Sequence, residues 1–224
     1  MRSALVAAVF VTCASPALAQ LNQITQAEAV SGLKAALEKG SQAAVAALGR
    51  KDGFFANPKV KIPMPESLQR TEKLMRRVGL GKHADELILT MNRAAEAAVP
   101  EARQLLVDSV KKMTVKDAKS ILTGGNTAGT EYFKRTTSDQ MRKRFQPIVE
   151  KATAKVQLAR KYDEYAAQGA SLGLVKKEHA DLDAYVTQKA LDGLYFMLGE
   201  EEKKIRKDPA RAASSIVKKV FGAL

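Results

Sequence analysis

Leu89-Thr90-Met91-Asn92-Arg93-Ala94-Ala95-Glu96-Ala97-Ala98 decides the fold. At about 100° per residue, Met91, Ala95 and Ala98 share a helical stripe with Ala84, Leu87 and Ile88, and Ala94 and Ala97 widen it. Alanine lets neighbouring helices come close, so the stretch reads as a central helix wrapped by others. Asp85, Asn92 and Glu96 form a second stripe on one flank, with Arg93 beside it. If that flank is covered, these groups must be satisfied within the fold, because a buried unpaired charge is costly. Asn92, Arg93 and Glu96 are therefore candidates for the floor of a polar pocket. The plainer alternative is an Arg93–Glu96 surface pair one turn apart plus a structural asparagine.

Outward from this helix, the chain reads as helical almost throughout. Thr25-Gln26-Ala27-Glu28 is a capping box opening a helix over Val30, Leu33, Leu37, Ala44, Val45 and Leu48. Residues 50–65 form one long non-helical stretch. In it Val60, Ile62 and Met64 alternate with Lys61 and Pro63, which suggests an extended segment laid over the helices. Its prolines bar it from a central strand. Phe54, Phe55, Val60 and Ile62 point to a loop pinned on the core rather than a ligand clamp. Pro65 starts a helix ended by Gly79. Pro100 breaks or restarts the central helix, and the pattern continues to Met113. Thr114-Val115-Lys116-Asp117 is a second capping box.

Gly124 to Gly129 followed by Thr130 has half the spacing of a phosphate loop. It lacks the lysine and the preceding strand, so it reads as an interhelical turn. Thr127 caps a short helix over Tyr132 and Phe133. Ser138 then begins a long helix to Tyr165, which Pro147 should kink. The outer face of that helix carries Arg142, Lys143, Arg144, Lys151 and Lys155, the densest basic stripe in the chain. Asp181 or Asp183 starts a further helix that runs out in the polar Glu200-Glu201-Glu202-Lys203-Lys204, read as a solvated end. Asp208-Pro209 opens the last, amphipathic helix, expected to dock on the core through Ile216, Val220 and Phe221. The fold class is thus all-α: a single irregular domain over residues 20–224, of about eight or nine helices, with one long extended proline-containing loop.

Residues 1–19 have the layout of a secretory signal peptide. Arg2 supplies the positive region, Ala4 to Val11 the apolar run, and Ala17-Leu18-Ala19 the small-x-small pattern, so cleavage is expected after Ala19 and the destination is the periplasm. The only cysteine, Cys13, lies in that segment, so the exported chain offers no disulfide and no thiolate. No later apolar run approaches the ~20 residues of a transmembrane helix. Without Arg2 the balance is 36 Lys+Arg against 24 Asp+Glu. After export that charge is not expected to meet nucleic acid. The anions at hand are lipid head groups, lipopolysaccharide phosphates and acidic cell-wall polymers.

Catalytic signatures are weak. The two histidines, His83 and His179, stand far apart with no metal-binding motif around them, so no metal and no cofactor is expected. There is no nucleophile elbow. With no tryptophan and few aromatics, stacking platforms for sugars or bases are poorly supplied.

Several segments together resemble a known family. They are Leu33-Lys34-Ala35-Ala36-Leu37, Asp52-Gly53-Phe54, Lys61-Ile62-Pro63-Met64-Pro65, Met91-Asn92-Arg93-Ala94-Ala95-Glu96, Pro147-Ile148-Val149, Tyr185 to Leu194 and Val220-Phe221-Gly222. In this order the chain resembles an exported bacterial family, domain-of-unknown-function family 4197. The resemblance implies an exported helical protein and brings no activity, cofactor or catalytic residue. The residues themselves favour a non-enzymatic protein that meets an anionic envelope component through Arg142, Lys143, Arg144, Lys151 and Lys155. Two alternatives stand beside it: an enzyme with a polar site at Asn92, Arg93 and Glu96, joined by Thr130 and Tyr132, and a carrier of an apolar ligand between helices.

Overall fold

A computed structural model describes residues 25–77, 79, 81–154, 181–209 and 215–222. The expected signal peptide and Lys155 lie outside the described residues. Eight α-helices are described: α1 (Gln26–Leu48), α2 (Glu66–Arg77), α3 (Gly81–Ala98), α4 (Ala102–Lys112), α5 (Val115–Leu122), α6 (Ala128–Thr153), α7 (Leu182–Lys207) and α8 (Ser215–Phe221). Six of them exceed ten residues and frame the domain, while α5 and α8 are two-turn segments of 8 and 7 residues. The expectation of about eight or nine helices is therefore corrected to six of more than ten residues among the described residues. No strand occurs among the described residues.

Local chemistry sets the ends. Thr25 and Thr114 each form the full capping box, accepting from the N3 amide while the N3 carboxylate accepts from the cap amide. Asp181 caps α7 by accepting from Ala184 N–H. Pro100 turns the chain through one 3₁₀ turn, Val99–Glu101, between α3 and α4.

The expected break near Ser138 is absent: α6 is one helix from Ala128 through Pro147 to Thr153. Ser138 reads as a helix start in sequence. Here the hydroxyls of Thr136, Thr137 and Ser138 instead donate to the carbonyls of Tyr132, Phe133 and Lys134, one turn back, so the run is carried inside the helix. Thr127 makes no side-chain cap.

The core lies where α7 packs on α1, α3 and α6, and where α3 packs on α6. Met91, Ala94, Ala95 and Ala98 of α3 are fully buried, which confirms the central placement of that helix; Ala97, at its edge, is exposed. Helices α4 and α5 cover α1 and α6, α2 leans on α3, and α8 docks on α1. A Cβ on Gly32 would stand 2.7 Å from Val220 Cγ2, so that glycine sets the seat of α8.

Candidate functional site

The polar flank of α3 is covered, and the loop between α1 and α2 covers it. Asn92 is fully buried and Glu96 is 4 % exposed. The Asn92 side chain accepts from Ile62 N–H at 2.8 Å and donates to Ile62 C=O at 2.9 Å. Glu96 Oε1 accepts from the backbone N–H groups of Phe54 and Phe55 at 3.0 and 3.1 Å. Its Oε2 accepts from Arg93 Nη1 at 2.6 Å, and Arg93 Nη2 reaches on to Asp52 Oδ1 at 2.7 Å. These two carboxylates hold the Arg93 guanidinium above its ordinary pKa. The loop has no strand to pair with, so side chains of α3 supply the hydrogen bonds a strand would have given it. Apolar contacts finish the attachment, with Phe54, Val60, Ile62 and Met64 all buried.

Backbone geometry follows from this anchoring. Asp52 takes a left-handed conformation at φ 67°. A Cβ on Gly53 would lie 2.4 Å from Leu48 C=O, so only glycine fits there. Phe55 stays half-buried at the rim, with Lys61 Nζ 4.3 Å and the Arg93 guanidinium 5.7 Å from its ring centre.

Thr130 and Tyr132 do not join this cluster. Thr130 belongs to a second buried anchor, built on Glu202 of α7. Glu202 accepts from Gly129 N–H at 2.9 Å, from Thr130 N–H at 2.8 Å and from the Thr130 hydroxyl at 2.9 Å. A carboxylate thus caps the first turn of α6, where free amides favour negative charge. Arg206 completes it, donating to Glu202 and to Ile121 C=O at the end of α5. Tyr132 turns elsewhere and donates to Ser109 C=O at 2.8 Å.

Sequence reading placed Glu202 in a solvated run. Its neighbours do behave that way, with Glu200 and Glu201 pairing to Lys203 and Lys204. Glu202 itself is 7 % exposed. The signal was present: steps of three and four carry the Leu191, Tyr195 and Leu198 stripe straight to position 202.

On the basic stripe, Arg142, Lys143, Arg144 and Lys151 are all exposed on α6. Arg142 donates to Gln188 of α7 at 2.6 Å, and Arg144 stands 4.0 Å from Glu101. Lys143 and Lys151 have no ion pair among the described residues. Of the histidines, His83 is exposed and His179 lies outside the described residues. Among the described residues no group of three His, Cys, Asp or Glu could hold a metal ion. No described helix is long and apolar enough to cross a membrane.

The architecture defines a class: an all-helical domain whose loop and helix ends are fastened by buried carboxylate and carboxamide side chains. Residues 23–222 match a family model, and the chain belongs to that family, described as protein of unknown function (DUF4197). No curated protein and no solved structure matches the chain.

Proposed function

We propose that this protein is exported through residues 1–19, cleaved after Ala19, and acts in the periplasm as a non-enzymatic binder of an anionic envelope component. The binding face is the outer side of α6, with Arg142, Lys143, Arg144 and Lys151; Lys155, which the sequence pattern adds to them, lies outside the described residues. One observation carries the reading. This face is exposed, and three of its four described cations, Arg142, Lys143 and Lys151, have no ion pair among the described residues, so their charge is open to an outside partner. The formal net charge of +13 for the whole chain supports it. The alternative site at Asn92, Arg93 and Glu96 is set aside. Asn92 and Glu96 already use their polar atoms on the backbone of the covering loop, on Ile88 C=O and on Arg93, which leaves only Arg93 at the surface.

Vesicle flotation tests this. The purified protein should float with phosphatidylglycerol-containing vesicles at about 0.05 M salt and be released at about 0.5 M, where screening is short-ranged. Each basic residue near an anionic surface contributes about 1 kcal/mol, so Lys143→Gln, Arg144→Gln and Lys151→Gln together should weaken binding about 100-fold. Replacing Lys116 and Lys119 of α5 by Gln removes two charges elsewhere and should change binding by less than about ten-fold. Absence of binding at low salt, or equal losses in both variants, would overturn the proposal.

A further inference from the structure

Phe196 of α7 is 40 % exposed and, with Val115 of α5, is one of two large apolar side chains left in the open among the described residues. It borders an open groove of about 280 Å³ between α6 and α7, whose floor is Gly199 with Thr127 and Thr130. An apolar cavity of about 150 Å³ holds benzene, so the groove has room for a second phenyl ring.

Gly199 is what leaves that room. Packing forces glycine at two other places nearby: a Cβ on Gly193 would lie 2.6 Å from the Phe54 ring, and one on Gly129 would lie 2.5 Å from Leu37 Cδ2. At Gly199 the nearest atom, Thr127 Cγ2, would be an ordinary 3.4 Å away, and alanine would favour the helix. Nothing inside the chain requires glycine here.

The order of residues along α7 supplies the occupant. Asp192, Phe196, Gly199 and Lys203 all line the groove. At about 100° per residue they fall in a stripe about 60° wide. Read from either end, the stripe is its own complement. Asp192 and Lys203 stand equally far from a point between Met197 and Leu198, and so do Phe196 and Gly199. An antiparallel copy of α7 turned about that point brings acid to base and ring to glycine, each contact occurring twice.

We propose that this stripe is a two-fold interface and that the groove is filled by a second copy of this chain. Phe196 of each copy seats over Gly199 of the other, and Asp192 of each meets Lys203 of the other. Both charges are free to do so. Asp192 accepts from Gln188 through Oδ1, which leaves Oδ2. Lys203 pairs with Glu200 at 3.1 Å, but this is an exposed pair one turn apart, and an ammonium has two further donors. The register of α6 on α7, with Thr130 at Glu202 and Ser138 at Tyr195, sets Lys134 near the axis. Glu131, one turn back, offsets the like charge of the second copy's Lys134. A single helix stripe is small for an interface, so association is weak and depends on concentration. It does not rest on the basic outer face of α6.

Sedimentation equilibrium of the purified protein tests this at about 0.15 M salt, where long-range repulsion between two basic chains is screened. Between about 5 and 500 µM the average mass should rise from that of one chain toward two. Asp192→Lys and Lys203→Asp, each alone, set like charges across both contacts and should weaken association at least about ten-fold. Combined in one chain they restore opposite signs, and association should return to within about three-fold of the parent. Gly199→Leu fills the seat and should leave a monomer. Circular dichroism confirms that each variant is folded, and recovery in the combined variant separates a lost contact from a damaged fold. A parent monomeric at about 500 µM, single charge variants that associate like the parent, a combined variant no better than either single one, or a folded Gly199→Leu variant that still associates would overturn the proposal.

Discussion

The side chain of Asn92 hydrogen-bonds both backbone groups of Ile62, the N–H at 2.8 Å and the C=O at 2.9 Å. A single carboxamide thereby does for this loop residue what a neighbouring strand does in a sheet. Both partners are buried, at 0 and 1 % exposure, so water cannot replace either bond.

Asn92→Ala should therefore destabilise the fold by about 2–4 kcal/mol, because it leaves two buried backbone groups unpaired. Asn92→Asp keeps the acceptor for Ile62 N–H but turns a carboxylate toward the carbonyls of Ile62 and Ile88. It should be no more stable than the alanine variant. Urea unfolding at neutral pH checks both, and an aspartate variant as stable as the parent would contradict this account.

At Glu96 the two oxygens serve different partners, so two variants separate them. Glu96→Gln can still accept from Phe54 and Phe55 while losing charge on the Arg93 side. Glu96→Ala loses everything and should cost about 3 kcal/mol or more. Hydrogen exchange at the Phe54 and Phe55 amides should accelerate strongly in the alanine variant and modestly in the glutamine variant, ahead of amides in α6.

Gly193 meets the same loop from α7, with the Phe54 ring pressed where a Cβ would stand. Gly193→Ala gains helix propensity but must push a fully buried ring aside. A net loss of about 1–3 kcal/mol is expected from calorimetric melting. A stabilised variant would show that the ring moves freely.

The pH dependence has a local source at the start of α7. Burial raises the Asp183 carboxyl above its ordinary 3.8; the Thr153 hydroxyl, donating at 2.6 Å, opposes the shift, and Asp181 and Glu150 add to it. A carboxyl with a raised folded value holds its proton more tightly in the native state. Its contribution therefore falls as pH rises from the ordinary carboxyl range through the raised value. Asp183→Asn, which cannot ionise, should gain stability relative to the parent over that interval. Unfolding free energies of the pair, measured at pH 3 to 7, give the difference, and a gain that does not grow with pH would exclude the burial effect.

Much of this was legible in the sequence, and the limits have physical causes. Capping at Thr25, Thr114 and Asp181 is local chemistry, and it appears where the residues place it. The alternation of Val60, Ile62 and Met64 showed that the loop is pinned inward. Its anchors, Asn92 and Glu96, lie 30 to 42 residues away, and no local signature links them. The stripe of Asp85, Asn92 and Glu96 was read as one flank, yet Asp85 is exposed and pairs with Arg76, since the loop covers only the C-terminal part of that flank. Arg76 also holds the Asp85 carboxyl below its usual range. The Thr136-Thr137-Ser138 run shows the reverse difficulty. Its hydroxyls satisfy carbonyls inside a helix as readily as amides at a cap, and only the surrounding packing chooses.

The two buried anchors differ in how much chain must exist before each can close. The loop anchor uses residues 52 to 96, whereas the Glu202 anchor joins Gly129 and Thr130 to partners 72 and 73 positions later, and Arg206 reaches back 85 positions to Ile121. A chain made or threaded from its N-terminus can fasten the first while the second is still missing. Until residue 206 has arrived, the first turn of α6 and the last carbonyls of α5 stand open. Closure of the second anchor therefore waits for α7, whereas every hydrogen bond of the loop anchor lies within residues 52 to 96.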